Sequence, residues 1–148
     1  VLEDEGGRIS TAKLAAAVFA PGAEAKLAAL NRILHPGIIA AQEAELLRHE
    51  RAGAKLAAVE AALLLEVGAG ARFDKLVVVV APEAERVRRF VARSGARTGA
   101  SAEQARARMA AQWPDEKKVA RADFVIRNDG ALAATAEQVA EMLKELQT

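Results

Sequence analysis

Lys75-Leu76-Val77-Val78-Val79-Val80, followed at once by Ala81-Pro82-Glu83-Ala84-Glu85-Arg86, is the stretch on which the fold turns. Four consecutive valines make a strand, because β-branched side chains pack well on a pleated surface. An unbroken apolar run, rather than an alternating one, predicts burial on both faces, as in a parallel sheet covered by helices. Pro82 suits a helix start, where its missing N–H costs nothing, and Glu83 and Glu85 oppose the positive end of the helix dipole. The expectation is an α/β fold.

Downstream, Val87, Phe90 and Val91 form the inward face of the helix, while Arg86, Arg89 and Arg93 fall at i, i+3 and i+7 on another. A loop is expected over residues 95–99. Ser101 and Gln104 then make a capping-box pattern for a helix running to about Gln112. Asp123 to Arg127, with Phe124 and Ile126 apolar, reads as a second strand ending in the Asn128-Asp129-Gly130 turn signal. The last helix is expected from near Thr135, with Gln138 completing another capping box, to about Leu146.

Upstream the chain is helical: a first helix over residues 11–19 ended by Pro21-Gly22, a second over 23–34 ended by His35-Pro36, and a third over about 38–52 with Leu46 and Leu47 inward. Residues 55–66 read KLAAVEAALLLE, for which Ala and Leu propensity favours helix between Gly53 and the Gly68–Gly70 cluster.

Composition narrows the function classes. The chain has 148 residues, 52% hydrophobic and 28% charged, with net charge +1, enough for one domain with a core and unlike a disordered segment. No stretch supplies the roughly 20 apolar residues of a membrane span, so no membrane partner is expected. The absence of Cys excludes disulfides, thiol nucleophiles and Cys-based zinc sites. His35 and His49 are the only histidines, at a helix end and on a charged helix, with no carboxylate cluster at metal spacing, so no metal site is expected. The N-terminus lacks a secretory pattern and an initiator Met, which suggests a cytoplasmic protein and a chain that begins within a longer one.

The charge is unevenly spread. From Arg86 to Arg121 there are ten Lys or Arg residues and three acids, a local +7. Only Phe90 and Trp113 lie within it, too few aromatic residues for a base-stacking surface, so a local anion site is expected rather than a nucleic-acid surface. Planar guanidinium groups neutralise several phosphoryl oxygens bidentately without losing a proton, so arginines on one helix face beyond a glycine-bearing loop suit a lid closing on a nucleotide. A solvated face paired with acids, such as Arg89 with Glu85, is the alternative.

These residues carry a resemblance. Ala81-Pro82-Glu83 through Arg93, SAEQARARMAAQWPDEKK from Ser101 to Lys118, and ARADFVIRNDG from Ala120 to Gly130 resemble the C-terminal half of the dephospho-coenzyme A kinase family. GGRISTAKLAAAVF from Gly6, LNRILHPG from Leu30, and ALLLEVG…RFDKLVVV from Ala62 are similar to that family's earlier segments, in the same order.

The resemblance implies a P-loop kinase-like parallel sheet flanked by helices, with a helical coenzyme A-binding insertion and an Arg-rich lid. It divides one partial kinase domain into a substrate-binding region at about 11–52, core strands at 53–80, a lid at 81–121, and a last strand and helix at 122–148. On this basis residues 55–61 become a strand, against their helical propensity. The implied reaction is phosphoryl transfer from ATP, with Mg2+, to the ribose 3′-hydroxyl of dephospho-coenzyme A, the final step of coenzyme A biosynthesis. Arg89 and Arg93 would act on the transferring phosphate, Asn128, Arg108 and Gln112 on the nucleotide, and His35, Pro36, Leu64 and Glu66 on the coenzyme side.

The departures are specific. The family's first strand, its Gly-rich loop ending in Lys-Ser or Lys-Thr, and its Asp-x-Asp segment do not occur here, and the sequence contains no Gly-Lys dipeptide. Ala62 replaces a usual Pro, Leu65 a common Phe, and Arg127 the Asp of the V-I-D-N motif. The chain alone is therefore expected to be truncated and inactive. A P-loop-less relative that binds nucleotide or coenzyme A without catalysis, and a helical interaction module, are the alternatives.

Overall fold

A computed structural model of the chain describes residues 2–4, 6–98 and 100–146. It falls into two compact units, Val1–Ala61 and Ala62–Thr148.

In the first unit, Ser10 caps helix α1 (Thr11–Val18), its Oγ accepting from the Lys13 N–H at 3.3 Å. Gly22 turns the chain with φ +76°, a conformation that L side chains rarely adopt, and helix α2 (Glu24–Arg51) follows. Packing of α1 on α2 buries Val18 and Ala23. The two helices expected on either side of His35-Pro36 are one: α2 runs 28 residues with Pro36 inside it. Proline ordinarily ends a helix by removing one hydrogen bond and crowding the preceding turn, and here the Ala- and Leu-rich flanks carry the helix through. Leu47, expected inward, is 49% exposed. Arg48, His49 and Arg51 in the last turn suit the negative end of the dipole.

Residues 54–61 are neither the helix of their propensity nor the strand implied by the resemblance; they run as irregular, almost wholly exposed chain. A strand is stable only when its N–H and C=O groups meet a neighbour, and among the described residues no strand lies beside this one.

The second unit holds the sheet. Residues 62–68 form a succession of turns that ends at Gly68, in the left-handed region with φ +72°, and leads into a short 3-10 helix, Ala69–Arg72. Strand β1 (Val77–Val80) pairs in parallel with β2 (Phe124–Arg127), with Val77 opposite Phe124 and Val80 opposite Arg127. The parallel α/β arrangement is thus as expected, but burial of β1 on both faces is not. Val77 and Val79 are 41% and 60% exposed, because helix α6 (Leu132–Leu146) packs on β2 and buries Ile126 without covering their side of β1.

Between the strands run α3 (Glu83–Thr98), α4 (Ala102–Ala110) and α5 (Asp115–Val119). The Pro82 carbonyl accepts from the Glu85 and Arg86 N–H groups, starting α3 as the sequence predicts. α3 continues through Thr98, taking in most of the expected loop, and residue 99 lies outside the described residues. α4 packs against α3 with Ala105 buried, and its capping box of Ser101 and Gln104 forms as read. The sequence reading had no counterpart of α5, which opens on Pro114, carries Asp115 and Glu116 in its first turn and Lys117 and Lys118 in its last, and packs on β1. α6 begins three residues before Thr135, and Gln138 does not cap it. Its side chain instead accepts from Arg127 N–H at 2.8 Å and donates to Arg127 C=O at 3.0 Å, closing the end of β2. None of the described helices is long and apolar enough to cross a membrane.

Candidate functional site

The carboxyl end of the parallel pair positions the groups of interest in the second unit. β1 delivers the chain directly into α3, and β2 ends at Arg127 beside it, with the Asn128 N–H donating to the Val80 carbonyl at 2.8 Å. Asn128 therefore stands next to the β1–α3 turn, at the carboxyl end of the parallel pair, the end at which ligands of open α/β sheets bind. Its side-chain oxygen accepts from Thr135 Oγ1 at 3.5 Å.

Asp123 pins the other end of the pair. It accepts from Leu76 N–H at 2.8 Å and from Lys75 Nζ at 3.3 Å. The backbone bond first, and the lysine after it, hold its carboxyl below the usual aspartate range. From sequence Asp123 reads only as a strand start, and the acid before an apolar Phe-Val-Ile run is the available signal of this tie.

The arginine stripe on α3 is not uniform. Arg86 turns to Asp115, with Nη1 and Nη2 each 3.1 Å from one of its oxygens. Arg89 Nε donates to Glu85 Oε1 at 2.6 Å, so the i,i+4 pair weighed above exists. Arg88 binds the same carboxylate through Nε and Nη2 at 2.7 and 2.6 Å. Hydrogen bonds from Arg88 and then Arg89 lower Glu85 from 4.5 to about 2. Arg93, one turn further on, is exposed and has no ion-pair partner among the described residues. On α4, the Arg108 guanidinium lies over the Phe90 ring, 4.9 Å from its centroid, which fastens α4 to α3 by a cation–π contact.

Gln112, Trp113 and Pro114 join α4 to α5. Gln112 Oε1 accepts from Lys118 Nζ at 2.8 Å, and Lys118 lies 3.2 Å from Glu66 Oε1. That same Glu66 oxygen accepts the Trp113 backbone N–H at 2.8 Å. Glu66 and Lys118 are only 13% and 14% exposed, while Glu66 Oε2 is buried with no hydrogen-bond partner among the described residues. Lys117 Nζ sits over the Trp113 ring, 3.5 Å from its centroid. Beside the junction is a cleft of about 500 Å3 whose walls include Gln112, Trp113 and two arginines, each paired with an acid of the same cleft, Arg86 with Asp115 and Arg106 with Glu83.

The structure thus links Glu66 to Gln112 and places Arg89, Arg93 and Arg108 on the packed α3–α4 pair. Leu64 is half-buried in the 62–68 turns, two residues before Glu66. His35 and Pro36 belong to the first unit, in mid-α2, with His35 half-buried and Pro36 exposed. No group of three or more His, Asp or Glu side chains among the described residues forms a metal site.

A family model described as dephospho-CoA kinase matches residues 1–134. The dephospho-CoA kinase of Chlorobaculum tepidum is 41% identical over 145 residues, which is 98% of this chain and 67% of that protein. That of Geobacillus kaustophilus is 38% identical over 139 residues, 94% of this chain and 66% of its own length. The crystal structure of TT1252 from Thermus thermophilus is similar at TM-score 0.68 and 36% identity, covering 95% of this chain and 69% of that one. The chain spans about two thirds of the length of the relatives it matches.

Proposed function

The chain belongs to the dephospho-coenzyme A kinase family, and on that premise we propose that its protein transfers the γ-phosphoryl group of ATP to the ribose 3′-hydroxyl of dephospho-coenzyme A. What supports this reading is the α3–α4 pair, which follows the first parallel strand and bears Arg89, Arg93 and Arg108 on two packed helices.

Phosphoryl transfer leaves little covalent work for side chains; catalysis is positioning and the neutralisation of charge on the transferring oxygens. Arg93, exposed and without an acidic partner among the described residues, is the group available to meet that charge. Arg89 keeps its Nε on Glu85 and turns its Nη groups to the phosphate. Arg108, Gln112 and Asn128 hold the nucleotide. His35 and Pro36 serve the coenzyme side in the first unit. Mg2+ would accompany ATP, but the described residues offer it no cluster of ligands, so no step is assigned to the metal. ATP and dephospho-coenzyme A are the partners on this reading, and the cytoplasm is where both would be met.

The test has two arms. The product of the complete reading frame, incubated with ATP, Mg2+ and dephospho-coenzyme A, should form coenzyme A, and failure to do so would sink the proposal. The 148-residue chain should bind ATP measurably by calorimetry. The absence of a Gly-Lys phosphate loop from these residues favours a second reading for the chain by itself, binding without transfer, which predicts saturable binding and no product.

A further inference from the structure

We propose that Glu66 is a positioning residue that sets the joint between α4 and α5, and that it makes no contact with coenzyme or nucleotide. Its effect on turnover rests on the kinase reading; the placement of the joint rests on geometry within the second unit alone.

Helix α5 is a single short stretch, Asp115–Val119. Isolated helices below about 12 residues are marginal in water, so ties to other elements must fix where α5 lies. Two such ties reach its opposite ends. Arg86 of α3 holds both oxygens of Asp115, each at 3.1 Å, and Glu66 holds Lys118 at 3.2 Å. The second tie is the drier one, with Glu66 and Lys118 13% and 14% exposed against 38% and 32% for Arg86 and Asp115. An exposed pair contributes little, whereas taking one partner from a buried pair leaves an uncompensated charge.

The backbone of the linker depends on the same carboxylate. In Gln112-Trp113-Pro114, the Gln112 N–H closes α4 on the Met109 carbonyl and Pro114 has no N–H. Trp113 alone has a linker donor left, and Glu66 Oε1 accepts it at 2.8 Å. One oxygen, delivered by the turns at 62–68, therefore fixes both the linker and the last turn of α5. Lys118 passes the restraint on to Gln112, whose Oε1 accepts from the same ammonium at 2.8 Å. Neither oxygen of Glu66 is open to a substrate: Oε1 serves two donors, and Oε2 is buried with no hydrogen-bond partner among the described residues. That separates Glu66 from the coenzyme side, where the resemblance puts it.

Glu66→Gln keeps an acceptor oxygen for both donors and replaces the other oxygen by an amide nitrogen. Measured on the product of the complete reading frame, its KM for dephospho-coenzyme A should stay within about twofold of wild type. A substrate contact through the carboxylate predicts instead a rise of roughly tenfold or more, and that rise overturns the proposal. Glu66→Leu combined with Lys118→Met removes the acceptor and the buried charges together. In the 148-residue chain the Trp113 amide of this double variant should exchange with solvent roughly tenfold faster, while Glu66→Gln retains its protection. In the complete protein the double variant should lose roughly tenfold in kcat at the same KM, because misplacement away from the reacting atoms acts on turnover. A Trp113 amide as protected in the double variant as in wild type overturns the positioning, and so does an exposed amide with kcat unchanged. If the double variant does not fold, the KM of Glu66→Gln decides. If the complete protein forms no coenzyme A, the kinase reading fails by itself, and the Trp113 amide still decides what sets the joint.

Discussion

Arg89 Nε lies 2.6 Å from Glu85 Oε1, so one of the arginines marked for phosphate is already bonded to a carboxylate one turn earlier on its own helix. The bond engages Nε alone of the Arg89 guanidinium nitrogens. Arg93 carries no such restraint among the described residues. The two arginines are therefore unequal, and exchanging them for alanine separates a structural role from a chemical one.

For Arg93→Ala, stability should change by no more than about 0.5 kcal/mol, the usual range for an exposed position away from special contacts. Turnover by the product of the complete reading frame should fall roughly 100-fold, the scale for removing one preorganised donor from a developing charge. Steady-state kinetics checks this: kcat should fall more than the KM for dephospho-coenzyme A rises, and an unchanged kcat would reduce the stripe to a solvated face.

Acid should loosen the fold through two carboxylates. A group whose folded pKa lies below its unfolded one contributes stability above the unfolded value and loses it as pH falls through the folded value. For Glu85 that window runs from 4.5 down to about 2, and Asp123 is shifted in the same direction by Leu76 and Lys75. Urea midpoints measured from pH 7 to pH 3 should decline below about pH 4.5. The decline should be shallower in Glu85→Gln and in Asp123→Asn. A parallel decline in all three proteins would show that neither carboxylate is responsible.

Lys118→Met leaves Glu66 buried without its counter-charge and should destabilise the second unit by about 3 kcal/mol. Adding Glu66→Leu should recover most of that loss, because an apolar pair of similar volume needs no charge compensation. Chemical denaturation of the single and double variants measures the coupling.

Gln138 makes both a donor and an acceptor contact with the backbone of Arg127. Gln138→Ala should cost about 1 kcal/mol, since solvent replaces part of what two exposed hydrogen bonds supply. Faster exchange of the Arg127 amide should accompany the loss.

Pro36→Ala offers the opposite sign. Proline inside a helix costs up to about 3 kcal/mol, so its removal should raise the stability of α2. If His35-Pro36 serves the coenzyme side, the same variant should bind dephospho-coenzyme A less well. Gain in stability together with loss of binding is the pattern of a local rule broken for function; gain with binding intact would assign Pro36 no role.

Features that depend on neighbours in sequence were legible. The four valines and the following Pro-Glu gave β1 and α3, Phe-Val-Ile-Arg gave β2, and Ser101 with Gln104 gave the start of α4. Features set by distant partners were not. Residues 55–61 were assigned to a strand that needs a neighbour to pair with, and Val77 and Val79 to a face that needs a helix to cover it. Helical periodicity gives the arginine stripe and the i,i+4 pair of Arg89 with Glu85, but that Arg86 turns to Asp115 follows from where the fold sets α5, which no periodicity encodes. Glu66 stands in a recognisable motif, but its two partners, Trp113 and Lys118, come from some fifty residues further along the chain, around α5.

Trp113 is the only tryptophan of the chain, and it sits at the joint between α4 and α5 with an ammonium over its ring and its amide tied to Glu66. Indole emission is quenched and shifted by a nearby charge and by water. The joint between α4 and α5 therefore carries its own optical gauge: unlabelled protein reports, in one fluorescence channel, whether that joint opens, tightens or stays still.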